Sequence, residues 1–82
     1  MTREEVFEKV VEILNQYSKK EISKENISME TSILEDLEIN SARLVDIVLD
    51  FEDAFDIEVD DDDADTVATV GDGVNLILKK IQ

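Results

Sequence analysis

Residues 34–55 read LEDLEINSARLVDIVLDFEDAF, and the fold turns on where this stretch stops being loop and becomes helix. Up to Asn40 no period is sustained. With successive residues placed about 100° apart from Ser41 onward, Leu44, Ile47, Val48, Phe51 and Phe55 fall in one apolar arc. Asp46, Asp50 and Asp53 form a stripe on the far side. The pattern predicts an amphipathic helix beginning near Ser41 and ending near Asp56. Val45 and Leu49 do not join the arc. They lie one turn apart between it and the acids, rimmed by Asp46, Asp50, Glu52, Asp53 and Asp56. Single exposed apolar residues are ordinary. A pair framed by carboxylates has the make-up of a docking surface, with apolar contact for affinity and acids to steer a basic partner. A solvated face with two stray apolar residues is the plain alternative.

Two flanking segments also have helical period. Upstream, Val6, Val10, Ile13, Leu14 and Tyr17 recur at i, i+4, i+7, i+8 and i+11, and Thr2 with Glu5 has the form of a capping box. A helix from about residue 3 to about residue 18 follows from this pattern. Downstream, Val70, Val74, Ile77, Leu78 and Ile81 repeat the spacing, with Thr69 and Asp72 placed to cap and Lys79 and Lys80 at the negative end of the dipole. Between them Ile57, Val59 and Val67 should turn inward, around a short helical turn near residues 61–66. The polar connection KKEISKENISME (19–30) has Ile22 and Ile27 as anchors, and TSILEDL (31–37) offers Ser32 with Glu35 as a second capping box for one turn. A connection this long inside a small domain is unusual and often functional. The expected architecture is all-α, one domain over residues 1–82, a small bundle of three main helices plus a short extra helix.

The 82 residues contain no histidine, cysteine or proline and two glycines. Without histidine or cysteine, Ser-His-Asp catalysis, thiolate chemistry, disulfides and most zinc sites are excluded. Net charge is −14, from 22 acids against 8 bases. Such a surface repels nucleic acid, whose phosphates require Lys and Arg, and attracts basic proteins. MTREEVFEKVVEIL (1–14) is charged from its third residue and resembles neither a secretory signal nor a membrane span, so a cytoplasmic monomer is the expectation. In the aspartate run, Asp61, Asp63, Asp65 and Asp72 have the 1-3-5-12 spacing of a calcium loop. Thr66 stands where that loop needs glycine and no glutamate closes it, so a solvated acidic turn without a dedicated metal is the better reading.

Ser41 has two uses open to it. Asn40 or Ser41 is the N-cap of the helix, since both residue types accept from its free N–H groups. Alternatively Ser41 is an acceptor whose hydroxyl another enzyme activates and loads. Nucleophilic catalysis by this chain is not supported, because no base accompanies the serine. A helix N-terminus suits an attached phosphodiester, through its free N–H groups and the positive end of the dipole.

The run EDLEINSARLVDIVLDFEDAFDIEVDDDDADTVATVGD (35–72) resembles the acyl carrier protein family, which typically reads DLG-x-DSL into an acidic helix, then EEFDIEI, an acidic turn and TVGD before the last helix. The resemblance implies a four-helix carrier that is not an enzyme. It implies that Ser41 carries covalent 4′-phosphopantetheine, attached by a phosphopantetheinyl transferase, whose thiol holds acyl groups as thioesters. It implies partners with basic docking surfaces, acyl-transferring, ligase or synthase enzymes of fatty acid, polyketide or another specialised acyl pathway. Asp46, Glu52 and Asp53 match acids of the family's recognition helix, and Val45 and Leu49 its exposed apolar docking residues; Asp50 and Asp56 join them as partner-binding candidates from their place on the rim. Leu44, Ile47, Phe51 and Phe55 match positions lining the acyl cavity or core. The chain departs from the motif at Glu38 for glycine, Asn40 for aspartate, Ala42 for leucine, and the cation Arg43 at a polar or acidic position. These departures point to a carrier of a specialised pathway with its own partners. The alternative function is a small acidic protein–protein interaction module without a prosthetic group.

Overall fold

Helix α1 spans Arg3–Asn15 and opens on the expected capping box: Thr2 Oγ1 accepts from Glu5 N–H, and Glu5 Oε1 accepts from Thr2 N–H at 3.0 Å. It buries Val6, Val10, Val11, Ile13 and Leu14. The computed structural model describes residues 2–19, 22 and 25–81. A 3₁₀ turn at Ser41–Arg43 leads into α2, Leu44–Phe55; α3 covers Asp61–Asp65 and α4 covers Val70–Ile81. The bundle is all-α, with one isolated antiparallel bridge between Ser32 and Thr69 among the described residues. α1 packs mainly on α4, and α2 closes against both.

α1 ends three residues before the position its apolar spacing predicts. Gln16 N–H donates to Ile13 O at 3.1 Å and Tyr17 N–H to Leu14 O at 3.0 Å, so the last turn tightens to 3₁₀ bonds. Ser18 Oγ then donates to Leu37 O, tying the chain to the long connection instead of extending the helix. α2 stops at Asp56, which is left-handed (φ 54°, ψ 53°), and Ile57 N–H returns to Glu52 O at 3.1 Å. Aspartate tolerates this conformation better than most residues.

The long connection is held by apolar anchors and by the start of α4. Ile22 and Ile27 are buried as expected, and Ile33, Leu37 and Ile39 join them. The turn after Ser32 forms with a different acid than the spacing predicts. Ser32 Oγ accepts from Glu35 N–H, but Asp36, not Glu35, returns a carboxylate to Ser32 N–H at 2.8 Å. Bonds from Asp36 N–H and Leu37 N–H to Ser32 O close the turn, carrying the reciprocal acid one residue further and aiming Ile33 and Leu37 inward.

At α4 all four residues of TVGD (69–72) have a separate physical task. Thr69 caps through Oγ1 to Asp72 N–H, and Asp72 Oδ2 accepts from the N–H groups of Thr69 and Ala68. Those donors, Thr69 first, hold the Asp72 carboxyl below its ordinary value, so the cap is at full strength above the usual aspartate range and weakens as pH falls through the lowered value. Val70 is fully buried. Its N–H donates to Thr31 O at 2.9 Å, and Gly71 N–H donates to Met29 O at 2.8 Å. The first free donors of α4 are thereby satisfied by loop carbonyls. This approach leaves no room for a side chain: a Cβ on Gly71 would lie 2.6 Å from Met29 O. Gly73 differs, since a Cβ there would meet the Phe51 ring at 3.6 Å and Val67 Cγ1 at 3.9 Å, both ordinary contacts.

The two glycines therefore separate by mutation. Gly71→Ala is expected to lower stability by at least about 2 kcal/mol, through overpacking and the loss of a loop bond. Gly73→Ala is expected to leave stability unchanged or raise it by up to about 1 kcal/mol, because alanine is the better helix former. Urea denaturation of both variants checks this; equal losses would show that the close approach is not what holds the loop.

Candidate functional site

The 3₁₀ turn that leads into α2 takes its cap from Asn40, and α2 itself follows on from that turn without a side-chain cap of its own. Asn40 has extended backbone (φ −65°, ψ 136°) and its side-chain oxygen accepts from Ala42 N–H at 2.9 Å. Its carbonyl accepts from Arg43 N–H at 2.8 Å. Ser41 is thereby relieved of capping. It is exposed, and its hydroxyl has no hydrogen-bond partner among the described residues. Buried Ile39 fixes the chain just before it. A free, exposed hydroxyl at the positive end of α2 fits an attached phosphodiester.

Along α2 the predicted surface and the predicted core lie on separate faces. Val45 and Leu49 are 67% and 53% exposed, against 0% for Ile47 and Phe51. Phe55 is buried, and Leu44, nearest Ser41, is half-buried against the core. Asp53 and Asp56 are exposed and Glu52 is half-buried. None of these three has an ion-pair partner among the described residues. The other two acids are engaged. Arg43 Nη1 lies 3.2 Å from Asp46 Oδ2, and the hydroxyl of Tyr17, just past the end of α1, donates to Asp50 on α2. The Arg43–Asp46 contact has helical i, i+3 spacing and was open to sequence reasoning. The Tyr17–Asp50 contact joins residues 33 apart and left no local signal. Leu34, 37% exposed on the connection, is a third exposed apolar side chain that the sequence analysis did not single out.

Glu38, where the resembled motif has glycine, sits at φ 55°, a left-handed conformation that glycine adopts without cost. The motif's glycine thus has a backbone reason that survives its replacement. In the aspartate run, Asp61, Asp63 and Asp65 lie on a helix, which turns alternate carboxylates to different sides. Asp63 pairs with Lys80 at 3.0 Å, which holds its carboxyl below the ordinary value and raises the lysine. Asp72 is spent on the α4 cap. Among the described residues no three carboxylates converge on a metal position. No helix there is long and apolar enough to cross a membrane.

The sequence matches the family model for the phosphopantetheine attachment site over residues 7–77. It is 40% identical to an acyl carrier protein of Thermotoga maritima, over 98% of this chain and 96% of the relative. The chain belongs to the acyl carrier protein family. An acyl carrier protein of Exiguobacterium is 38% identical over 99% of this chain and 100% of its own length. The fold agrees: a solved acyl carrier protein from Enterococcus faecalis superposes with a TM-score of 0.80 at 35% identity, covering 98% of this chain and 99% of that one. The protein is a carrier and not an enzyme, and as a member of this family it bears covalent 4′-phosphopantetheine.

The Tyr17–Asp50 bond gives a spectroscopic handle, because the chain has a single tyrosine. The Asp50 carboxylate pushes the Tyr17 hydroxyl up to about 12 from an ordinary value near 10. A raised value means that the bond supports the fold fully below the unfolded value and is lost as pH rises through about 12. Ultraviolet titration should show the high midpoint in the folded protein, and Asp50→Asn should return it toward 10. An unchanged midpoint in the variant would remove Asp50 as the cause.

Proposed function

We propose that Ser41 is the attachment residue of the carrier, within a single domain spanning residues 1–82. The observation that carries this reading is the division at the helix start: Asn40 makes the capping bond, and the Ser41 hydroxyl is exposed and unengaged. When bound, the prosthetic group supplies a thiol on which acyl chains are held as thioesters. The chain has no cysteine of its own, so the group brings the sulfur. It has no histidine to deprotonate the serine, so the base must come from the modifying phosphopantetheinyl transferase.

The remaining residues divide into presentation and shelter. Val45 and Leu49 give apolar contact, and Asp46, Asp50, Glu52, Asp53 and Asp56 together give the negative field that steers acyl-transferring, ligase or synthase enzymes with basic docking surfaces. Leu44, Ile47, Phe51 and Phe55 shelter the acyl chain; support comes from their gradation from half-buried Leu44 beside Ser41 to fully buried Phe51. Tethering raises the effective concentration of cargo at each partner. The reading places the protein in the cytoplasm as a monomer, kept apart by its net charge of −14. Asn40, Ala42 and Arg43 support a specialised acyl pathway over the housekeeping role in fatty acid elongation.

Coexpression with a broad-specificity phosphopantetheinyl transferase, followed by intact-protein mass spectrometry, is expected to add one phosphopantetheinyl group to the wild type and none to Ser41→Ala. Two substitutions at the helix start separate function from fold. Ser41→Ala is expected to keep stability within about 0.5 kcal/mol, whereas Asn40→Ala costs about 1 kcal/mol. An unmodified wild type beside a converted control carrier would overturn the assignment.

A further inference from the structure

Resting on the reading of Ser41 as the attachment residue, we propose that Arg43 is a specificity-determining residue: by pairing with Asp46 it withdraws that carboxylate from basic partners and moves the readable acidic surface to the C-terminal half of α2. The geometry is direct. Arg43 lies two residues after Ser41, and its Nη1 is 3.2 Å from Asp46 Oδ2. The side chains are 64% and 45% exposed, so the pair stands on the surface a partner must cover. Asn40, where the resembled motif has aspartate, is neutral and committed to the cap. One turn further on, Asp50 is held by the Tyr17 hydroxyl. From residue 39 to residue 51 each carboxylate thus has a partner within the chain. Glu52, Asp53 and Asp56 have no ion pair among the described residues, and they follow the exposed Val45 and Leu49 along the helix.

A basic side chain that seeks Asp46 must displace Arg43 and meet a freed guanidinium beside it. A basic side chain that seeks Glu52, Asp53 or Asp56 meets neither obstacle. Partners that require an acid in the first turn after the serine are thus disfavoured, and partners that place their basic groups near the end of α2 are retained. The discrimination is graded rather than absolute, because an exposed ion pair sustains only about a three- to fivefold effect.

The test is a four-member cycle of wild type, Arg43→Gln, Asp46→Asn and the double variant. Loading of each by a phosphopantetheinyl transferase with a basic docking surface, using coenzyme A, gives kcat/KM. Affinity for the same transferase is measured in parallel on all four chains carrying Ser41→Ala, a readout that needs no attachment. Arg43→Gln is expected to raise both quantities about three- to fivefold. Asp46→Asn is expected to cost about threefold more in the Arg43→Gln background than in the wild type, because only there is the carboxylate free to be read. No gain from Arg43→Gln, or an equal cost of Asp46→Asn in both backgrounds, overturns the proposal. If the affinities follow the expected order and none of the serine-bearing chains is loaded beside a converted control carrier, the Ser41 assignment fails and the role of Arg43 in docking stands.

Discussion

Two hydrogen bonds under one glycine hold this molecule in its working shape. Thr31 O and Met29 O accept from Val70 N–H and Gly71 N–H, and the approach is possible only because residue 71 has no side chain. Without them, residues 25–40 would be a polar excursion with a few isoleucines on it. With them, Ile33, Leu37 and Ile39 are set into a core that already contains Val70 and Val74. Buried Ile39 in turn fixes where Asn40 and Ser41 reach the surface. The position of the serine is therefore decided some thirty residues downstream, at the start of the last helix, and TVGD is as much a part of the serine site as the residues beside it.

The helix start then separates two tasks that one residue often performs. A capping serine would have its oxygen turned toward backbone N–H groups and would be poorly placed to accept anything else. Because Asn40 supplies the cap, stability rests on an amide and the hydroxyl is left to solvent. Asparagine in place of aspartate keeps the acceptor oxygen and drops the charge. The departure from the family motif therefore costs the fold nothing obvious and alters only the field around the serine.

How much of this was legible in the sequence follows from the range of each interaction. The three main helices, the short helix at Asp61–Asp65 and the capping pairs Thr2–Glu5 and Thr69–Asp72 rest on periods and contacts within four residues, and all could be read. The exposure of Val45 and Leu49 followed from the same arithmetic. The choice between Asn40 and Ser41 as cap could not be made, because both residue types cap well and the decision lies in the backbone path set by Ile39. The substitution of Asp36 for Glu35 in the Ser32 turn turned on one residue of register. The early end of α1 depends on Ser18 reaching Leu37, and the engagement of Asp50 on Tyr17; both are tertiary contacts with no local trace. The left-handed Glu38 was hidden because the residue type argues against the conformation it adopts.

The placement of charge shows which acids serve the fold and which do not. Glu4 and Glu5 stand in the first turn of α1, Asp61, Asp62 and Asp63 in that of α3, and Asp72 in that of α4, all at the positive ends of helix dipoles. Lys79 and Lys80 stand at the negative end of α4. In a chain with a net charge of −14, these placements put part of the acidic charge where it favours the helices. Glu52, Asp53 and Asp56 break that rule. They crowd the C-terminal turn of α2, where the dipole opposes them and no ion pair among the described residues answers them. Each such placement disfavours the helix by about 0.3–1 kcal/mol at low salt. Acids set against a dipole, without an ion pair among the described residues and next to two exposed apolar side chains, do not serve the helix, and a basic partner is what would relieve them.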